Sequence, residues 1–152
     1  MDFTTDQKRK INNAKHFLKY DYNHYLTLSV EANNLRGMKL QQVKVDTSAK
    51  IDATEQLYLR IMDAKKIVKS TQEAINHCSD TSQHPYKTAL TLSYLDNESV
   101  VYVVDHINYG QAYYYKKILP SALLEFADRF LVQQLNNKVN SIIDLNVLEK
   151  AS

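Results

Sequence analysis

With 152 residues, a net charge of +2 and 44% hydrophobic residues, the chain has the balance of one globular domain or two small units. Its single cysteine excludes an internal disulfide. No apolar run approaches the length of roughly 20 residues that spans a bilayer. The first ten residues lack the apolar core of a secretion signal. We therefore expect a soluble cytoplasmic protein without membrane contact, and the scarcity of chain breakers (two Gly and two Pro) predicts long helices in an all-α fold.

The N-terminal region, residues 1–80, is predicted to contain two long helices. The first covers residues 6–33, where apolar residues recur at spacings of three, four and seven, and Asp6 or Thr5 would cap its start. This stripe consists of Ile11, Ala14, Leu18, Tyr25 and Leu28.

The helical period is then lost, which predicts an irregular linker over residues 33–52, and residues 40–45 are also compatible with a short strand. The second helix is predicted over residues 52–78, with its cap at Asp52 or Thr54. Its inward face comprises Leu57, Ile61, Ala64, Val68 and Ile75, widened by Tyr58, Met62 and Ile67.

Residues 81–130 are predicted to form a second unit. Pro85 is a favoured first residue for a helix over residues 85–95. Residues 99–107 are rich in β-branched residues, which favour strands, but their apolar positions recur with the helical period, so a short helix is predicted there. Its inward stripe is Val100, Val103, Val104 and Ile107. A tight turn at Gly110 leads into another helix, and helix, turn and helix form the plan of a helix-turn-helix.

Three consecutive tyrosines open the helix after the turn, and they cannot all face the core because successive helical residues point in different directions. Tyr114 is expected to be buried and Tyr113 to face outward with the neighbouring lysines. Pro120 removes a backbone donor and is expected to kink or interrupt the helix. The core stripe of this helix is predicted to be Leu119, Leu123, Phe126 and Phe130.

Residues 131–152 are predicted to continue as a helical extension with an apolar seam. The seam is Leu131, Leu135, Val139 and Ile142. A lone helix would leave it in water, so the extension either pairs with a second copy or folds back on residues 6–33, and we expect a homodimer.

Candidate catalytic and metal-binding groups do not form a recognisable pattern. His77, Cys78 and His84 are near neighbours without the paired spacing of a zinc site. Asp105 and His106 are adjacent, and adjacent helical residues point apart. We therefore expect no enzymatic activity, no cofactor and no metal.

The stretch from Tyr113 to Phe130, with the short helix and turn before it, resembles the C-terminal signature of the ArpU family of phage and prophage transcriptional regulators. Family members have a tyrosine pair and then an A-L-x-x-F-A ending, here Tyr114-Tyr115 and Ala122-Leu123-Leu124-Glu125-Phe126-Ala127. The opening helix and the polar middle of the chain are also similar to the family. The resemblance implies a helix-turn-helix similar to region four of sigma factors, and control of late phage genes by promoter binding in a bacterial host.

The expected partners are double-stranded DNA at a late promoter and the host RNA polymerase. Lysines would bind phosphates, and tyrosine hydroxyls would bind phosphates or base edges. The expected DNA contacts are Lys87, Asn108, Gln111, Tyr113, Lys116 and Lys117.

A second class of function is a helical protein–protein adaptor, or a phage packaging component similar to a small terminase subunit. Residues 81–130 carry a net charge of −1, which favours this class because DNA-binding surfaces are usually basic. Gln111, Lys116 and Lys117 at the start of the second helix favour the regulator.

Overall fold

The structure is a computed structural model that describes residues 2–31 and 48–147, with side chains in the second range from residue 53. These residues form five helices, which confirms the all-α class. Helix α1 comprises Thr5–His16, a π-helical turn at Phe17–Asp21, and Tyr22–Val30. Helix α2 is Ser48–Asn76, helix α3 is Tyr86–Leu90 followed by a π-helical turn at Thr91–Leu95, and helix α4 is Val100–Ile107. Helix α5 comprises Gln111–Tyr113, a π-helical turn at Tyr114–Ile118, and Leu119–Asn136. The strand considered at residues 40–45 lies outside the described residues.

The start of α1 is set by Thr4, so the predicted caps at Asp6 and Thr5 are wrong. The Thr4 hydroxyl accepts a hydrogen bond from the Gln7 backbone N–H at 3.1 Å, and the Gln7 side-chain oxygen accepts one from the Thr4 N–H at 2.9 Å. Reciprocal bonds of this kind satisfy two backbone donors at once, which a single cap cannot do. Helix α2 begins at Ser48, so the predicted linker ends before residue 48 and the caps proposed for α2 are also wrong.

The π-helical turn in α1 changes which residues face the core. Ala14 and Leu18 are buried as predicted, but the predicted stripe omits Phe17 and Tyr22, which are 1% and 4% exposed. A π-helical turn holds more residues than an α-helical one, so it shifts the inward face by about one position along the sequence. A strict period of 3.6 residues therefore identifies only part of the buried face.

One hydrophobic core draws side chains from all three predicted regions. Phe17 of α1 packs against Phe130 of α5 with ring centroids 4.8 Å apart, and Ile67 and Ile75 of α2 belong to the same cluster. Leu57 was expected in this core but is 37% exposed. Leu57 lies nearer the start of α2 than Ile61 does. Ile61 belongs to a separate small apolar cluster with Leu28, Tyr58 and Met62.

The segment between α2 and α3 is attached to α5 through Glu125. The Glu125 carboxylate accepts hydrogen bonds from the Ser79 N–H at 2.5 Å and from the Ser79 hydroxyl at 2.9 Å. Burial alone would raise the pKa of this carboxyl, but the Ser79 bonds, the Cys78 thiol and the charge of Arg129 outweigh it and lower the pKa. The ionised Glu125 carboxylate therefore stabilises the folded state. This stabilisation is present at pH values above the ordinary carboxyl pKa, and it is lost as the pH falls through the lowered pKa of Glu125.

The predicted helical extension is wrong beyond Asn136, where α5 ends. Lys138 adopts a left-handed conformation with φ of 59°, and residues 137–147 are non-helical. Gln134, fully buried, exchanges two hydrogen bonds of 2.8 Å with the backbone of Ile143. The amide of Asn13 in α1 donates to the Leu145 carbonyl at 3.2 Å. The segment therefore folds back within one chain, which was the second arrangement considered for it.

Folding back also divides the predicted seam. Val139 is buried in the core of its own chain, whereas Leu135 is 61% exposed and Ile142 is 38% exposed. A continuous seam along one helix is therefore not available for pairing with a second copy.

We expect Asp63→Ala to release the C-terminal segment from α2. Asp63 is buried, and its carboxylate accepts hydrogen bonds from the Asn140 N–H at 2.7 Å and the Ser141 N–H at 3.1 Å. Losing both acceptors should lower the free energy of unfolding by about 1–3 kcal/mol, measured by urea denaturation. The control is Asp128→Ala, which removes the exposed partner of Lys10 and should cost less than about 1 kcal/mol. Equal effects of the two substitutions would contradict the assignment.

Candidate nucleic-acid interface

Helix α4 confirms the prediction of a helix despite its β-branched composition. Ser99 caps its start by accepting a hydrogen bond from the Tyr102 N–H at 3.2 Å. Val103 and Ile107 are buried, and Val100 and Val104 pack against the same core. Burial of this one face outweighs the intrinsic preference of valine for strands, because strand preference depends strongly on context.

Three residues connect α4 to α5, and the first of them, Asn108, ends α4. Asn108 has φ of 62° and ψ of 41°, the left-handed region, and its N–H donates to the Val104 carbonyl at 3.0 Å. Asparagine tolerates this conformation better than most residues because its short polar side chain can form local hydrogen bonds. Gly110 has an ordinary φ of −71°, so the turn itself depends on Asn108 and not on glycine.

Substitutions at Asn108 should show this conformational requirement. We expect Asn108→Gly to change stability little, because glycine adopts positive φ readily. Asn108→Val should cost about 1–2 kcal/mol, because a β-branched residue is strained there. Thermal unfolding of both variants measures the difference, and equal stability would show that residue 108 does not require the left-handed conformation.

Helix α5 continues through Pro120, so of the two predicted outcomes, a kink or an interruption, the interruption is absent. The π-helical turn immediately before it is closed by the Leu119 N–H, which donates to the Tyr114 carbonyl. This wider turn lies where the proline ring would otherwise clash with the carbonyl four residues earlier. Pro120 is consequently accommodated in the second position of the α-helical part of α5.

The tyrosines divide as predicted between core and surface. Tyr114 is 2% exposed, and its hydroxyl forms a hydrogen bond of 2.7 Å with the Ser93 hydroxyl. Burial raises the pKa of the Tyr114 hydroxyl, so the phenol remains protonated. Tyr113 is 48% exposed and stacks on Tyr109 with ring centroids 5.1 Å apart. The Tyr109 hydroxyl in turn donates to the Ser82 carbonyl at 2.9 Å, which connects the turn to the segment before α3.

The first turns of α5 present a small exposed polar surface. Gln111 and Ala112 are exposed, and four residues later Tyr115 and Lys116 are exposed as well. Tyr115 was not among the predicted contacts, although its spacing of four from Gln111 places the two near each other on a helix. We define Gln111, Tyr115 and Lys116 as the reading surface.

The reading surface does not include the other residues expected to contact DNA, of which Tyr113 is exposed beside it. Lys117 is half-buried, and its Nζ lies 5.9 Å from the centroid of the Phe3 ring. The side chain therefore points towards the start of α1. Lys87 lies half-buried in α3, and Asn108 is exposed in the turn.

The side chains considered for metal binding have other contacts. The buried thiol of Cys78 donates to the Ala74 carbonyl at 3.3 Å, and burial raises its pKa to about 12. The His77 Nδ1 lies 2.7 Å from the Glu73 carbonyl oxygen. In the described ranges, no three His, Cys, Asp or Glu side chains are grouped as metal ligands would be.

No protein-family model, curated protein or solved structure matches this chain. Within residues 2–31 and 48–147, none of the helices has the length and apolar character needed to cross a membrane.

Proposed function

We propose that the chain is a sequence-specific DNA-binding regulator of phage or prophage late genes, of the ArpU type. The observation that carries this proposal is the geometry of α4, the Asn108 turn and α5. Two helices joined by a three-residue turn with a left-handed residue match the helix-turn-helix plan, and the second helix exposes its first turns. The buried side chains of Tyr114 and Ile118 hold that helix against the core while its opposite side remains free to enter a groove.

The reading surface has the chemistry that base and phosphate recognition requires. The major groove admits an α-helix, and a glutamine amide can form two hydrogen bonds with adenine. Lys116 supplies a cation for a phosphate or for guanine, and the Tyr115 hydroxyl supplies a donor for a phosphate oxygen. We assign base reading to Gln111 and backbone contacts to Tyr115 and Lys116. Regulation of this kind requires neither a catalytic step nor a cofactor.

Selection from a random-sequence duplex pool tests the proposal even though the operator sequence is unknown. We expect the protein to enrich one short motif, and to bind the late promoter of its own prophage more tightly than an unrelated fragment of equal length in a mobility-shift assay. The absence of any enriched motif, with a folded protein at low salt, would contradict sequence-specific reading.

We further propose that the regulator acts as a homodimer, because one helix-turn-helix offers few base contacts and two copies double them. Since the continuous helical seam is not present, the support comes from Val132 and Leu135, which are 53% and 61% exposed near the end of α5. Leu135→Lys should therefore dissociate the dimer. Light scattering at micromolar concentration should give twice 17.6 kDa for the parent and 17.6 kDa for the variant. A monomeric parent would contradict the dimer.

A second candidate function is an adaptor or packaging component, and one observation favours it. From residue 88 to residue 115 the chain carries three carboxylates (Asp96, Glu98 and Asp105) and no lysine or arginine. Binding to packaging-site fragments in preference to promoter fragments would indicate a packaging component. Binding to neither fragment would indicate an adaptor.

A further inference from the structure

A cleft of about 380 Å³ is bordered by the segment before α3 and by the end of α4. Asp80 and Ser82 line it from the segment before α3, and His106 and Ile107, the last two residues of α4, line it from the helix. Its volume falls within the range of about 300–1,000 Å³ that is usual for small-molecule sites. No residue of the reading surface lines the cleft, so a ligand bound there would leave that surface free.

The Asp80 carboxylate has one oxygen available to a ligand. The Thr88 N–H and the Thr88 hydroxyl both donate to Asp80 Oδ1, at 3.3 and 2.8 Å, and these bonds hold the carboxylate in place. Among the described residues, none donates a hydrogen bond to Oδ2, and no lysine or arginine forms an ion pair with Asp80. The side chain is exposed, so a ligand can reach it from solvent. Its chemistry favours a cation that donates hydrogen bonds.

The end of α4 adds a second source of negative potential. The N–H groups of Asn108 and Tyr109 both donate to the Val104 carbonyl, at 3.0 and 3.3 Å. These two donors therefore do not satisfy the carbonyl oxygens of residues 105–107, the last three of the helix. The exposed carbonyls at a helix C-terminus carry roughly half a negative charge in sum, and they favour a cation nearby. A cation in the cleft is thus favoured both by Asp80 and by the end of α4.

Apolar groups determine the rest of the ligand's chemistry. Pro85 and Ile107 are buried side chains that line the cleft, and they provide an apolar wall. Tyr109 also lines it, and its hydroxyl already donates to the Ser82 carbonyl at 2.9 Å, so its ring offers a ligand mainly aromatic surface. Methylene groups pack on such a surface, and a cation is attracted to the face of the ring.

We propose that the cleft binds an alkylammonium group, with the ammonium at Asp80 and the end of α4 and the alkyl chain against Pro85 and Ile107. No lysine or arginine lines the cleft to repel such a ligand. Two sources supply this group, a free amine and the lysine side chain of a partner, and both share the same chemistry. The inference is independent of the proposed function.

Titration with butylamine, followed through the amide NMR signals of the isotope-labelled protein, tests the site. Butylamine is a cation at neutral pH, as a lysine side chain is, and we expect saturable shifts for residues 80–82 and 106–109. So small a probe should bind in about the millimolar range. Butanol has the same shape without the charge and should bind at least about tenfold more weakly. Nα-acetyl-lysine amide represents the lysine source.

Three substitutions locate the binding of butylamine. Asp80→Asn removes the charge but keeps an oxygen that accepts the Thr88 bonds, and it should weaken binding by at least about tenfold. Ser82→Lys should also weaken binding, because its own ammonium competes for the carboxylate. The matched control is Gln83→Lys, at the next residue, which is exposed and does not line the cleft. It should change binding by less than about twofold at physiological salt, where distant charges are screened.

Saturable shifts at the cleft that butanol does not produce would support the site, and the tighter binder of butylamine and Nα-acetyl-lysine amide identifies the source of the ammonium. The inference is overturned if butylamine produces no such shifts, if butanol binds as tightly, or if folded Asp80→Asn binds butylamine normally. Equal effects of Ser82→Lys and Gln83→Lys would also overturn it, and this comparison decides if Asp80→Asn does not fold. None of these measurements contains DNA, so their failure leaves the proposed function unaffected.

Discussion

Replacing Phe126 with alanine should lower the free energy of unfolding by about 3–5 kcal/mol, the largest stability loss expected in this protein. The side chain is fully buried in α5, and its ring lies 5.2 Å from Phe130 and 6.4 Å from Phe17 between centroids. Alanine would leave a cavity where α1 packs against α5, and the surrounding rings can relax only in part. Urea denaturation of parent and variant, with the slope checked for two-state behaviour, measures the loss.

A matched control is Tyr115→Ala, which removes an aromatic ring that is 47% exposed on the same helix. Its effect on stability should be within about 0.5 kcal/mol, as for most surface substitutions. A loss below about 1 kcal/mol for Phe126→Ala would show that this ring does not belong to the shared core.

The largest expected effect on binding comes from the reading surface. Gln111→Ala combined with Lys116→Ala should abolish preference for the selected motif and weaken overall binding, because one substitution removes a base contact and the other a phosphate contact. A bidentate base contact is worth about 1–3 kcal/mol of discrimination, and each phosphate contact contributes about one unit to the slope of log affinity against log salt. Fluorescence titrations over a range of salt concentrations would measure both quantities.

Single substitutions compare the phosphate contacts of the two neighbouring lysines, Lys116 and Lys117. Lys116→Ala should reduce the salt slope by about one unit, whereas Lys117→Ala should reduce it less, since that side chain is half-buried beside Phe3. Lys65→Ala, at an exposed lysine of α2, is the control and should leave the slope unchanged. If Lys116 and Lys65 behave alike, the first turns of α5 do not contact the phosphate backbone.

The inward sides of α4 and α5 were predicted correctly from the spacing of apolar residues, whereas the helix caps were not. The helical period of the valines in α4 and the stripe from Leu119 to Phe130 in α5 follow from one side of each helix being apolar. The burial of Tyr114 follows in the same way, because a residue with apolar positions four and eight further along shares their side. Of the candidate contacts, Gln111, Tyr113 and Lys116 are exposed as expected. Their role in binding stays a prediction.

Features that depend on distant parts of the chain were not predicted. The π-helical turn in α1 shifts the inward face by an amount that no fixed period contains, so Phe17 and Tyr22 were missed. Lys117 turns towards Phe3 because α1 begins beside it, and nothing within the segment from residue 110 to residue 130 encodes that neighbour.

The sequence by itself determined the all-α class, the succession of α4, a short turn and α5, and the inward side of α4, because these depend on residue preferences and spacing within short segments. Only the tertiary structure decided the course of residues 137–147. Their apolar side chains are equally compatible with a helical seam, but Asp63, Gln134 and Asn13 provide hydrogen-bonding partners for a non-helical backbone. Those partners lie on three different helices, so the reversal of the chain after Asn136 depends on where the other helices have already packed.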